Sequence, residues 1–250
     1  MDVKRPSPDP PVQRQPRFRA TDEHDPQSSV SMRDLFLDIL SHELRTPITA
    51  IYVGSQVLAA RTLDRERTRV VANDILVEAE RLVRLVEDLL VLGRLDGGSL
   101  TAESEPVAIG QTILEAIDRQ DVIGDGVNIG FSGRRDATAP AADRSFVLHV
   151  VRNLLDNAIR FGDSRPVDVV VEVEAAEIGV RVLDRGVSPG IGGPDAFEIT
   201  ARIPAAPAQQ AGGGIGLFVA GRLVTAMGGR VWAVPRDGGG SEFGFALPAH

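Results

Sequence analysis

Between residues 72 and 93, Ala72, Ile75, Ala79, Leu82, Val86, Leu89 and Gly93 recur at alternating spacings of three and four. A seven-residue period of that kind makes a helix with a narrow apolar seam. Leu76, Val83 and Leu90 form a second stripe beside it. A helix with two apolar stripes needs more than one neighbour, because a lone hairpin would leave apolar surface in water. Two copies of a hairpin, closed into a four-helix bundle, remove that surface. The other arm precedes it: Leu35, Phe36, Ile39, Leu40, Leu44, Ile48 and Ile51 repeat at helical spacing. The Gly97-Gly98 pair ends the second helix. The expectation is a helical hairpin over residues 31–98 that forms a homodimer.

The flanks read differently. Residues 1–30 hold six prolines and few aliphatics, too little apolar surface to offset the cost of ordering, and are expected to form a disordered leader or linker. Residues 101–250 alternate in character, so the fold class of the whole is α+β. A helix is expected at Val107–Arg119, a strand near Val127–Phe131 and a strong helix from about Arg144 to Phe161. VDVVVEVEAAEIGVRVLD reads as two strands of an antiparallel hairpin. A Gly/Pro/Ala-rich stretch, Gly186–Gly214, leads into the helix GLFVAGRLVTAMGG, and strands near Arg230–Val234 and Ser241–Leu247 close the chain.

Rare residues exclude several chemistries. The 250 residues include no cysteine, which removes thiol nucleophiles, iron–sulfur clusters and cysteine-based zinc sites. Lysine occurs once, at Lys4, so neither a P-loop nor the strand lysine of Ser/Thr/Tyr-type kinases can be written. A net charge of −8 argues against a nucleic-acid partner. No apolar run approaches the length of a membrane helix and the N-terminus lacks the apolar core of a signal peptide, so no membrane segment is expected and the chain reads as cytoplasmic.

Four constellations carry chemistry. In Ser41-His42-Glu43-Leu44-Arg45-Thr46-Pro47, His42 falls on the polar face of its helix. A lone helix histidine is ordinarily just solvated. Here the adjacent Glu43 could orient the imidazole and leave its other nitrogen nucleophilic, and Pro47 would bend the helix beside it. Asn153 and Asn157, four apart on one helix face, are either a polar surface or two neutral carboxamides for a cation already bound to phosphates. Gly212-Gly-Gly214-Ile-Gly216-Leu217 opens a helix, where backbone N–H groups and the helix dipole attract anions. Asp184-Arg-Gly186 follows a strand, with Gly190 shortly after.

FLDILSHELRTPITAI resembles the H-box of the sensor histidine kinases of two-component systems. That resemblance implies that His42 is phosphorylated by ATP, with Glu43 as its acid/base partner and Thr46 orienting water for dephosphorylation of a partner. The helix bearing Asn153 and Asn157 resembles the family's N-box, whose asparagines hold Mg²⁺ with ATP; Arg160 and Phe161 stand where the family has lysine and tyrosine. Asp184, Gly186 and Gly190 resemble its Asp-x-Gly-x-Gly box with Val187-Ser188 inserted, Asp184 accepting from the adenine amino group. Gly212, Gly214, Gly216 and Leu217 match its Gly-x-Gly-x-Gly-Leu box, and Phe197 its phenylalanine box, ahead of a short ATP lid at about Gly192–Ala211. The implied whole is a homodimeric hairpin followed by a two-layer α/β sandwich that binds ATP and Mg²⁺ and passes phosphate to the receiver domain of a response regulator.

Rivals come from other classes. An ATP-driven clamp related to gyrase and Hsp90 would keep the nucleotide fold without a phosphohistidine, and a non-enzymatic dimer would keep the shape alone. Gly186-Val-Ser188-Pro-Gly190 also satisfies Gly-x-Ser-x-Gly, the elbow of serine hydrolases, but Gly192-Gly193-Pro194 follows where a helix must start.

Overall fold

The computed structural model describes residues 26–60, 63–98, 104–123, 126–186, 192–199 and 214–249, with the backbone alone at 26–33, 121–123 and 214. Two long helices come first, α1 (Pro26–Ala60) and α2 (Arg65–Asp96). Helix α1 begins inside the stretch expected as a leader, so residues 26–30 are helical. It runs on through Pro47, which is buried and lacks the N–H that would reach the Glu43 carbonyl. Helix α2 starts at an Asp64 cap whose carboxylate accepts from the Arg67 amide at 2.8 Å, a contact typically worth about 1 kcal/mol.

Helix α2 has three apolar faces rather than two. The expected seam meets α1, where a Cβ on Gly54 would come within 2.8 Å of Ile75 Cγ1. The second stripe, Leu76, Val83 and Leu90, is 56–58% exposed in the single chain. The third face holds Leu85, Asp88 and Leu92, all buried against the domain that follows.

That domain opens with β1 (Glu105–Ala108), α3 (Ile109–Ile123), β2 (Ile129–Gly133) and β3 (Thr138–Ala142). Strand β1 pairs with β3 as a separate two-stranded ribbon. Neither strand is expected from the sequence, and Val107-Ala108 is strand rather than the start of a helix. There follow α4 (Arg144–Phe161), β4 (Val167–Glu174), β5 (Glu177–Leu183), a 3-10 turn (Pro194–Phe197), α5 (Gly214–Ala226), β6 (Arg230–Pro235) and β7 (Ser241–Pro248). The main sheet runs β2-β4-β5-β7-β6, parallel between β2 and β4 and antiparallel elsewhere.

Alternation along the strands builds the second layer. Val167, Val169, Val171, Ile178, Val180, Val182, Phe243, Phe245 and Leu247 point to one side and are at most 2% exposed. They pack with Val147, Val150, Val151, Leu154 and Leu155 of α4 and Val219, Leu223 and Val224 of α5 in one core. Phe197 of the 3-10 turn is buried there too, with its ring edge-on to Phe243. The opposite face of the sheet is polar. Trp232 lies over Gly244, where any Cβ would clash with the indole; its Nε1 donates to Glu242 at 2.9 Å and Arg230 stacks on the ring at 5.1 Å. Among the described residues no helix is long and apolar enough to cross a membrane.

Candidate active site

The hairpin and the sheet domain enclose a cleft of about 410 Å³. Glu43, Glu78, Arg81, Arg84 and Asp88 line it from the hairpin, and Asn153, Asn157, Arg160, Phe161 and Gly216 from the other side. Of the residues expected on the acceptor helix, Glu43 shares this cavity with Asn153, Asn157, Arg160, Phe161 and Gly216, while His42 and Thr46 are not in its walls.

On α1, the His42 side chain is 60% exposed, with Nδ1 4.0 Å from Glu43 Oε1, beyond hydrogen-bond range. Glu43 instead turns toward α2, where its Oε2 accepts from Arg81 Nη2 at 3.0 Å. Thr46 Oγ1 donates to the His42 carbonyl at 3.3 Å.

Asn153 and Asn157 are each 6% exposed on α4, whose start is capped by Asp143 accepting from the Ser145 and Phe146 amides. Asn153 Nδ2 donates to the Gly216 carbonyl at 2.9 Å and to Asp88 Oδ1 at 3.3 Å. Gly216 lies so close that a Cβ there would sit 3.3 Å from Asn153 Cγ. Asn157 makes no side-chain hydrogen bond among the described residues. Two carboxamide oxygens on one face suit a hard cation that brings phosphate ligands with it, so the donor set fits Mg²⁺. At the end of the helix, Arg160 stacks on Phe161 at 5.1 Å. Desolvation and the neighbouring Arg81 lower the pKa of Arg160, opposed by Glu43 and Glu78.

Asp184 is not in the walls of the cleft. It is buried at 2% exposure behind the end of α4, where its Oδ1 accepts from the Gly186 amide at 2.9 Å and the Ser241 amide at 3.2 Å. Burial pushes its carboxyl up, opposed by those two amides and by Arg236. Gly186 must be glycine, because a Cβ would fall 1.7 Å from the Phe161 carbonyl oxygen. Gly214 and Gly216 open α5, while Leu217 is a core residue at 4% exposure. Gly190, Gly212 and Ser188 lie outside the described residues, as does most of the expected lid.

Residues 32–98 match the family model for the His Kinase A (phospho-acceptor) domain, and residues 142–250 that for the histidine kinase-, DNA gyrase B- and HSP90-like ATPase. The sensor-like histidine kinase SenX3 of Mycobacterium tuberculosis is 32% identical over 246 residues, covering 93% of this chain and 58% of SenX3. The chain carries the catalytic core of a two-component sensor histidine kinase. It spans a little over half the length of that curated relative. Two solved histidine kinases share the fold. Acinetobacter baumannii AdeS superposes with a TM-score of 0.61 at 24% identity, over 84% of this chain and 98% of AdeS. ThkA, solved in complex with the response regulator protein TrrA, gives 0.59 at 20% identity, over 90% of this chain and 64% of that chain.

Within this kinase core the polar contacts between hairpin and ATPase domain were not anticipated from sequence. His149 Nε2 lies 2.6 Å from Asp88 Oδ1, Arg152 Nη1 donates to Glu87 at 2.6 Å and Arg222 Nη2 to Asp96 at 2.6 Å. Arg84 Nε sits 3.2 Å from Asp156 Oδ2, and Gln120 donates to the other oxygen at 2.7 Å. Burial raises the Asp156 carboxyl, against the pull of Arg84 and Gln120. One signal was available: Asp88 stands between Leu85 and Leu92, three and four residues away, where an acid on an apolar line implies a buried partner.

Proposed function

We propose that the chain autophosphorylates on His42 with ATP and passes the phosphoryl group to an aspartate of a response regulator receiver domain. The observation that carries this reading is the shared cleft, in which Glu43, the neighbour of His42, faces Asn153, Asn157 and Arg160. In the transfer, an imidazole nitrogen of His42 attacks the γ-phosphorus in line with the departing oxygen of ADP. The N–P bond forms as the P–O bond breaks, and the imidazole proton passes to a base, the role assigned to Glu43. Asn153 and Asn157 would hold the Mg²⁺, Arg160 would face the phosphates, and Asp184 would accept from the adenine amino group. Bound with the triphosphate, Mg²⁺ neutralises charge on the transferring group, and positioning supplies much of the remaining catalysis.

The homodimer is proposed on the exposed second stripe of α2, which a single chain leaves in water. Thr46 is proposed to orient water in the reverse, phosphatase direction. The ThkA–TrrA complex, seen for a protein of this fold, is the precedent for the receiver partner.

Incubation with γ-labelled ATP and Mg²⁺ tests the reading. Wild type is expected to carry acid-labile, base-stable label. His42→Gln is expected to carry none, and Asn157→Ala to lose at least about tenfold in labelling rate, as when a metal ligand or its support is removed. Label persisting in His42→Gln overturns the assignment.

A further inference from the structure

The mechanism above uses the oxygen of Asn153 and leaves its nitrogen unexplained. That nitrogen is 2.9 Å from the Gly216 carbonyl and 3.3 Å from Asp88 Oδ1. Both partners are acceptors only, so the carboxamide has a single orientation that satisfies them, and its Oδ1 is left on the other side of the group. The two acceptors differ in origin. Gly216 belongs to the ATPase domain itself, whereas Asp88 comes from α2 of the hairpin and is present only while the domains are docked.

Asp88 is itself held in place. It is 5% exposed, His149 Nε2 lies 2.6 Å from the same Oδ1, and Arg152 Nη2 approaches it to 3.9 Å. An acid in the middle of an amphipathic helix, between buried Leu85 and Leu92, would be costly to bury if it only filled space. A carboxylate behind a ligand side chain has a known physical effect: it fixes the ligand's rotamer and raises the electron density on the donor atom.

Resting on the proposed cation role of Asn153, we propose that Asp88 is a positioning residue: it orients and polarises the Asn153 carboxamide for the Mg²⁺ of the nucleotide, and so ties cation affinity to docking of the ATPase domain on the hairpin. Asp88 touches neither nucleotide nor the reacting phosphorus. It acts through Asn153. A helix movement in the hairpin that withdraws Asp88 leaves Asn153 held by Gly216 alone and free to turn its oxygen away, so nucleotide loading responds to the hairpin without any change in the ATPase domain's own sequence.

The test uses the full chain and reads binding rather than turnover. A fluorescent ATP analogue is titrated with Mg²⁺ at fixed concentration, and ADP binding in EDTA is measured alongside as a reading that the cation does not enter. Asp88→Ala is expected to raise the Mg²⁺ concentration at half-saturation by about tenfold, the low end for loss of a metal ligand's support, and Asp88→Asn, which keeps an oxygen there and loses the charge, by a smaller factor of about threefold. ADP binding in EDTA is expected to stay within about twofold of wild type, and Arg222→Ala, which loosens the docking that brings Asp88 to Asn153, to shift the Mg²⁺ curve less than Asp88→Ala does and to add nothing in the Asp88→Ala background. If Asp88→Ala does not fold, Asp88→Asn decides. An unchanged Mg²⁺ curve in the Asp88 variants, with Asn153→Ala shifted, overturns the proposal and leaves the cation site standing. Arg222→Ala shifting the curve further in the Asp88→Ala background also overturns it, because docking would then act by a route other than Asp88. A curve unmoved by Asn153→Ala and Asn157→Ala removes both the cation site and the role of Asp88.

Discussion

Asp184, proposed to accept from the adenine amino group, shows what burying a carboxylate costs a fold. Its carboxylate is buried, and two backbone amides and Arg236 only partly offset the loss of water, so the charged form is disfavoured. A carboxyl raised in the folded state destabilises the protein once it ionises. The penalty is fully present above the raised value and fades as pH falls through it toward the ordinary carboxylate range. Asp184→Asn keeps an oxygen for the Gly186 and Ser241 amides and removes the charge. It is expected to melt higher than wild type at pH 7, with the gap closing by pH 4, and to bind ATP at least about tenfold more weakly because the neutral amide is a poorer acceptor for the adenine amino group. Calorimetric melting across pH and a nucleotide titration check the two halves. A variant that melts lower at pH 7 would show that the amide bonds outweigh the burial. At this scale the sequence was legible where chemistry and spacing coincide, as for Asn153 and Asn157, which do share a cleft wall. It was not legible where a side chain's partner is remote: nothing near Glu43 in the chain foretells Arg81, 38 residues on.

Among elements, α4 is read to the residue from its sequence, because a cap, an apolar period and a closing glycine all mark it. Strands β4 and β5 are equally plain from their alternation. Strands β1 and β3 are not, since EPVA and TAPAA carry no alternation and exist as strands only by pairing with each other. Helix α2 was read in part. Its seam and second stripe were visible, but the third face was hidden because Asp88 interrupts the apolar line that Leu85 and Leu92 begin. The exposed stripe carries its own prediction. Val83→Asp puts a charge where two hairpins would meet, at a side chain outside the buried core. It is expected to convert a dimer to a monomer at micromolar concentration in analytical ultracentrifugation, with the helical circular dichroism signal of the ATPase domain retained. An unchanged sedimentation coefficient would place the dimer contact elsewhere.

Over the whole molecule, the two domains are joined by contacts of unequal strength. The Arg152–Glu87 and Arg222–Asp96 pairs are solvent-exposed on at least one side, and such bridges contribute about 0–1 kcal/mol each. The fully buried part on α2 is Leu85, Asp88 and Leu92, with His149 Nε2 against Asp88. A docked arrangement held this lightly can be left and regained, as a transfer between domains requires. Arg152→Ala/Arg222→Ala is expected to leave the melting temperature of the ATPase domain unchanged and to increase the radius of gyration in small-angle scattering. No change in scattering would mean that the buried patch alone holds the domains together.

The polar outer face of the sheet has a practical consequence. Trp232, the single tryptophan, is fixed between Gly244, Arg230 and Glu242 on the side of the sheet away from the cleft, while the single tyrosine, Tyr52, stands 62% exposed on α1. Each domain thus contains one intrinsic fluorophore of a different kind. Selective excitation of the indole follows the ATPase domain, phenol emission follows the hairpin, and the order in which the halves unfold can be recorded on the unlabelled chain.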